Sequence, residues 1–182
     1  MLTVPAFVWR YGPFLRGLIL GLGVGAVLAA LAWLDSGFWL AGVTVFVITC
    51  AFYGLWMSRR MARNWPSAKQ LRGPEREQVA SSAREGHQID DPRLASALID
   101  YRNGLHEAAE ETKQLRWLVP VVLVVAVGTA AWDAAFGSWG NAIASIIYLA
   151  MLAVEVFWWP KRRRQLLGNA DRAVDLADER TE

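Results

Sequence analysis

The sequence is poor in the residues that carry most site chemistry. It holds one cysteine, Cys50, and two histidines, His87 and His106, in 182 residues. A lone cysteine excludes a disulfide framework and any cysteine-based zinc site. No H-x-x-x-H, H-E-x-x-H or Cys/His spacing occurs, so neither a metal nor a haem finds a ligand set. No glycine-rich loop follows a strand-like run, and serine and histidine nowhere form a recognisable nucleophile–base motif. A net charge of +2 gives little attraction to nucleic acid. Lysine is scarce, with three against sixteen arginines. With abundant alanine, that balance suits a GC-rich bacterial genome. These absences predict a protein that is not an enzyme and has no cofactor.

Charge itself is missing over long stretches. The mean hydropathy is only +0.23, yet Gly17–Leu34 runs 18 residues without a charge, Ser36–Ser58 runs 23, Trp117–Trp132 runs 16 and Ala134–Val154 runs 21. A helix of about 20 apolar residues crosses a bilayer core. Soluble core helices rarely run so long uncharged, and four would leave nothing to cover them. The spacing predicts membrane helices near 15–34, 38–58, 117–136 and 140–159. Asp35-Ser36-Gly37 and Gly137-Ser138 separate them pairwise, and such residues favour tight turns. The fold class is thus an all-α integral membrane protein: four transmembrane helices as two hairpins, plus cytoplasmic helices. The expected parts are 1–58, an N-terminal interfacial segment and the first hairpin; 59–116, a cytoplasmic helical segment; 117–159, the second hairpin; and 160–182, a cytoplasmic helical tail.

Neither short turn carries a lysine or arginine. Arg10 and Arg16 flank the first hairpin on its way in, and Arg59, Arg60 and Arg63 on its way out. Lys113 and Arg116 lead into the second, and Lys161, Arg162, Arg163 and Arg164 close it. Cationic flanks stay cytoplasmic. Both termini and the central segment are therefore expected inside, in a bacterial inner (plasma) membrane. A secretory signal peptide competes for the N-terminus, with Arg10 and Arg16 as its basic region and Ala30-Leu31-Ala32 as a small-residue site.

Aromatic residues mark the edges. Indole prefers the membrane–water boundary. Trp33, Trp39, Trp132 and Trp139 fall at the outer one; Trp9, Trp56, Trp117, Trp158 and Trp159 fall at the inner one. Trp65 alone has no place in that scheme. The hairpins also look alike: Trp33 and Trp39 recur as Trp132 and Trp139, at offsets of 99 and 100. A tandem duplication accounts for this, and so does convergence of two hairpins of equal orientation.

Three features suggest packing or partners. Gly17, Gly21, Gly25 and Ala29 recur every fourth residue, a small-xxx-small stripe that admits another helix closely, within the bundle or from another subunit. Glu155 lies in an apolar stretch, where an acid is costly. Arg59, Arg60 and Arg116 are its candidate ion-pair partners, and a place in an ion or substrate pathway is the other reading. After the N-cap Asp91 and Pro92, the residues Leu94, Leu98, Tyr101, Leu105, Ala108, Thr112 and Leu115 follow the alternating 4 and 3 spacing of a coiled-coil seam. Leu167, Ala170, Val174 and Ala177 in the tail offer a matching face, while Gly104 should weaken the arm. Lys161, Arg162, Arg163 and Arg164 are candidates for anionic-lipid contact.

Two functions fit. One is a non-catalytic accessory or scaffold subunit of a larger inner-membrane complex, contacting lipid and other membrane subunits or itself through the glycine stripe and cytoplasmic helices. The other is a small transporter or channel for an ion, solute or lipid, with Glu155 in the pathway.

Overall fold

Helix starts and stops are local events, and this chain marks them clearly. Pro13 opens α1 (Pro13–Ser36) at its first turn, where a missing N–H is tolerated. Gly37 closes it in the left-handed conformation at φ 68°, donating its N–H to the Trp33 carbonyl. After one further residue α2 (Trp39–Asn64) returns. The computed structural model describes residues 4–114 and 117–179, which are helical with no strand. Four of the helices are long and apolar enough to cross a membrane, which makes this a multi-pass membrane protein by length and composition.

The remaining elements follow the same logic. Pro74 stands in the first turn of α3 (Gly73–Glu85), where the Glu75 carboxylate accepts the Arg72 backbone N–H at 2.7 Å. The Asp91 carboxylate accepts the Arg93 N–H and starts a short 3-10 turn that feeds α4 (Ala95–Gln114). Two membrane helices, α5 (Leu118–Phe136) and α6 (Trp139–Ala153), form the second hairpin, with the Ser138 hydroxyl capping α6. A π-helical stretch, Val154–Trp158, then joins α6 to α7 (Trp159–Asp178) without a break. The cause is Pro160, whose ring displaces the carbonyl four residues back, and the wide turn absorbs it. The result is one rod of 40 residues, Trp139–Asp178, roughly 60 Å long at 1.5 Å per residue.

The polar segments gather into one bundle at the end of the hairpins opposite their short turns. There α3 packs on α7, α4 on α7, and α3 on a 3-10 turn at Ala6–Arg10. Val79, Leu98, Tyr101, Leu105, Leu166 and Ala170 fill its centre. Among the membrane-length helices α1 packs along the whole of α2, α6 leans on the turn-side end of α1, and α5 rests on α6. No residue of α5 is buried.

Several expectations change. The N-terminal segment packs into the bundle. Val4, Val8 and Trp9 are fully buried in the bundle, because arginines of α1 and α3 bond to its carbonyls and carry it inward. Trp9 therefore leaves the inner belt. Of the other boundary tryptophans, Trp33, Trp39, Trp56, Trp117, Trp132, Trp139 and Trp158 are exposed, and Trp159 is half-buried against the bundle core. The repeat between hairpins is not echoed in packing, since α1 and α2 are closely packed along their length while α5 rests on α6 with no buried residue.

Candidate functional site

Glycine sets the first hairpin. A Cβ built at Gly17 would lie 2.8 Å from the Gly54 carbonyl oxygen, and one at Gly21 would lie 2.7 Å from that of Cys50. In return a Cβ at Gly54 would lie 2.7 Å from the Gly17 carbonyl oxygen, and one at Gly42 3.0 Å from that of Ala29. Each helix presents bare backbone to the other, so the two approach to the limit that Cα–H···O contacts allow. Gly25 faces the Cys50 sulfur and Phe46. The Ser58 hydroxyl donates to the Pro13 carbonyl at 2.8 Å and ties the inner ends. The stripe of Gly17, Gly21, Gly25 and Ala29 is thus occupied by α2 of the same chain. It offers no free face to another subunit.

Where α1 and α2 meet the polar bundle, an aromatic junction forms. Trp9, Trp65 and Tyr101 pack edge to face, with centroids 4.8 Å apart for Trp9–Trp65, 4.7 Å for Trp65–Tyr101 and 5.7 Å for Trp9–Tyr101. All three are fully buried, and each such pair adds about 1 kcal/mol beyond its area. Arg16 lies over the Trp9 ring at 4.2 Å and donates to the Tyr11 carbonyl at 3.1 Å. Arg84 donates to the Val4 carbonyl at 2.9 Å, and Arg76 to that of Arg10 at 3.4 Å. Three arginines thus hold the N-terminal segment by its backbone. Burial pushes the Tyr101 hydroxyl up to about 12, against the nearby Arg84 cation, so it stays a neutral phenol. Trp65, which the topology left unplaced, is the centre of this joint. No local periodicity reveals it, because Trp9, Trp65 and Tyr101 come from three distant segments.

The expected seam of the arm is internal too. Leu94, Leu98, Tyr101 and Leu105 are all buried in the chain's own core. Leu115 lies outside the described residues. Ala170, Val174 and Ala177 of α7 are buried with them, and Leu167 is half-buried. The Gly104 position has a cause other than helix propensity: a Cβ there would lie 1.8 Å from the Asn64 carbonyl oxygen. Only glycine lets α4 cross the last turn of α2.

A polar lock fastens α4 to α7. Arg102 Nε lies 2.6 Å from Asp171 Oδ1, and His106 Nε2 lies 3.0 Å from the same oxygen. Desolvation raises the Asp171 carboxyl, but the hydrogen bonds from Arg102 and His106 outweigh it and hold the group below its usual range. A depressed carboxyl contributes stability above its unfolded value, about pH 4, and loses it as pH falls through the folded value. The lock should therefore weaken only in acid. Asp171→Asn should cost under about 1 kcal/mol near neutrality, because the pair is part-exposed. It should also flatten the fall of the thermal midpoint as pH drops below about 4. An unchanged acid slope would show that the lock contributes nothing.

The remaining candidates are unequal. Glu155 is exposed, on the π-helical turn, and makes no ion pair among the described residues. Arg60, an expected partner, instead meets Glu111 at 2.9 Å, and Arg63 reaches the same carboxylate at 3.0 Å. Arg116 lies outside the described residues. Comparison with known protein families, curated proteins and solved structures finds no match. Of the basic cluster, Arg163 turns to the Ala109 carbonyl of α4 at 3.4 Å, and Arg162 pairs with Gln165 at 3.0 Å. Lys161 is exposed, and Arg164 returns to the Pro160 carbonyl. In the second hairpin the Ser145 hydroxyl donates to Asp133 at 2.5 Å, a polar tie between α5 and α6. Thr44 and Thr129 bond their own helices, four residues back.

Proposed function

We propose that this protein is a non-catalytic accessory subunit of a bacterial inner-membrane complex, with its polar bundle and both ends in the cytoplasm. It docks on its partner through the second hairpin. One observation carries the reading: α5 is a membrane-length helix with no buried residue, beside a first hairpin whose small residues are already used. A helix packed on one neighbour gains little from dispersion within the chain, and the open face is where another subunit adds contact. Glu155, with no ion pair among the described residues, supports the same side, since an intramembrane acid gains most from a cation supplied by a partner. The polar bundle, braced by Arg102, His106 and Asp171, keeps that rod in a fixed position.

Gly128 on α5 supplies the test. A Cβ there meets nothing within 4 Å, so Gly128→Leu disturbs no contact of the chain itself. Purification from native membranes in mild detergent should recover a stoichiometric partner with the wild type. The variant should insert normally and lose that partner at least tenfold. A partner retained undiminished by Gly128→Leu, or none with the wild type, refutes docking through α5. A second reading places Glu155 in a transport pathway shared between copies. Under it Glu155→Gln abolishes flux in proteoliposomes and leaves partner recovery unchanged.

A further inference from the structure

We propose that the bundle-side end of α2 binds one anionic phospholipid, its phosphate among Arg59, Arg60 and Arg63 and an acyl chain along Phe52, Leu55 and Trp56. A groove of about 490 Å³ is lined by Phe52, Leu55, Trp56, Arg59, Arg60 and Arg63. Their spacing of 3, 1, 3, 1 and 3 puts all six on one stripe of the helix. The stripe changes chemistry along its length. Phe52, Leu55 and Trp56 are exposed apolar side chains, and one turn further on come three guanidiniums. That order matches the passage from acyl chain to headgroup.

The charge does not balance within the chain. Arg60 and Arg63 share a single carboxylate, Glu111. Arg59 is exposed, with no ion pair among the described residues. Three cations meet one acid, leaving an excess of two. Arg60 is also stacked 5.3 Å from the Trp56 ring, which fixes its guanidinium beside the apolar wall. Planar guanidiniums suit phosphate oxygens because they present paired donors.

One turn before the guanidiniums, the exposed side chains of Phe52, Leu55 and Trp56 offer an acyl chain an apolar wall. A cationic rim beside an apolar strip fits a molecule with both parts. A free phosphate would use the rim alone. This site is independent of docking through α5, for it lies on the first hairpin.

The test uses the purified full-length chain, with phosphatidylglycerol as probe and phosphatidylcholine as control, read by native mass spectrometry. Phosphatidylglycerol should be retained at least tenfold over phosphatidylcholine. Arg59→Gln with Arg63→Gln should lower its retention about tenfold or more, from roughly fivefold per cation at a membrane surface. Arg59→Gln alone breaks no ion pair of the structure, so it should fold as the wild type and show part of the loss. Trp56→Ala should lower retention severalfold with the net charge unchanged. Lys161→Gln with Arg162→Gln should leave it within twofold. Equal retention of the two lipids, an equal loss in the Lys161 and Arg162 variant, or complete displacement by inorganic phosphate would overturn the proposal.

Discussion

Gly104→Ala is expected to lower the thermal unfolding midpoint of the purified protein by about 10 °C. The added methyl would stand 1.8 Å from the Asn64 carbonyl oxygen, a backbone atom in the last turn of α2. No rotamer change relieves that contact, so α4 and α2 must part by more than an ångström. The separation opens the core beside it, where Trp65 and Tyr101 are fully buried and 4.7 Å apart. Overpacking of this kind costs about 3 kcal/mol, and each kcal/mol moves the midpoint a few degrees in a chain of this size. The matched control is Gly168→Ala on α7, where an added Cβ meets nothing within 4 Å. That change should raise stability by about 0.5–1 kcal/mol, because alanine favours helix. If both substitutions behave alike, helix propensity governs Gly104 and the crossing does not.

The second large effect concerns the seal of the first hairpin. A Cβ at Gly25 lies 3.2 Å from the Cys50 sulfur, close to the separation within a disulfide. Gly25→Cys should therefore bridge to Cys50 under mild oxidation and shift the protein's electrophoretic mobility. Adding Gly21→Leu places a branched side chain against the Cys50 carbonyl, 2.7 Å from the new Cβ. The helices must then separate by several ångströms, and bridging should fall at least tenfold. Lipid supplies no hydrophobic drive to hold them together once close packing is lost. Undiminished bridging in the double variant would mean that the stripe does not set the approach.

The membrane helices are readable in the sequence because length and the absence of charge are local properties. Pro13, Gly37, Pro74 and Asp91 mark their helix ends in the same local way. Periodicity also exposes the glycine stripe and the seam of α4, since both repeat within one helix. It does not say what covers them, and in both cases the cover is the chain itself. The joint of Trp9, Trp65 and Tyr101 lies beyond such reasoning. Its members are separated by dozens of residues, and the cation above them, Arg16, looks like an ordinary topology signal. The one hint is Trp65, a tryptophan without a boundary to mark. Gly104 reads as a flaw in a helix until α2 is laid across it. Likewise, Glu155 has an expected partner in Arg60 only until Glu111 is seen to take that place.

These results divide the molecule into used and unused surface. The first hairpin, the α4 seam and the N-terminal segment satisfy one another. The barest of the membrane-length helices is α5, which has no buried residue, and the carboxylate of Glu155 on the adjoining rod is exposed. The most direct test is cross-linking in native membranes, with single cysteines introduced on a Cys50→Ala background. Val124→Cys places the probe on the open face of α5, and Ile48→Cys places it on an exposed face of α2. The account predicts a discrete adduct with a different polypeptide from position 124 and none from position 48. Adducts from both positions alike, or from position 124 only with a second copy of this chain, would contradict it.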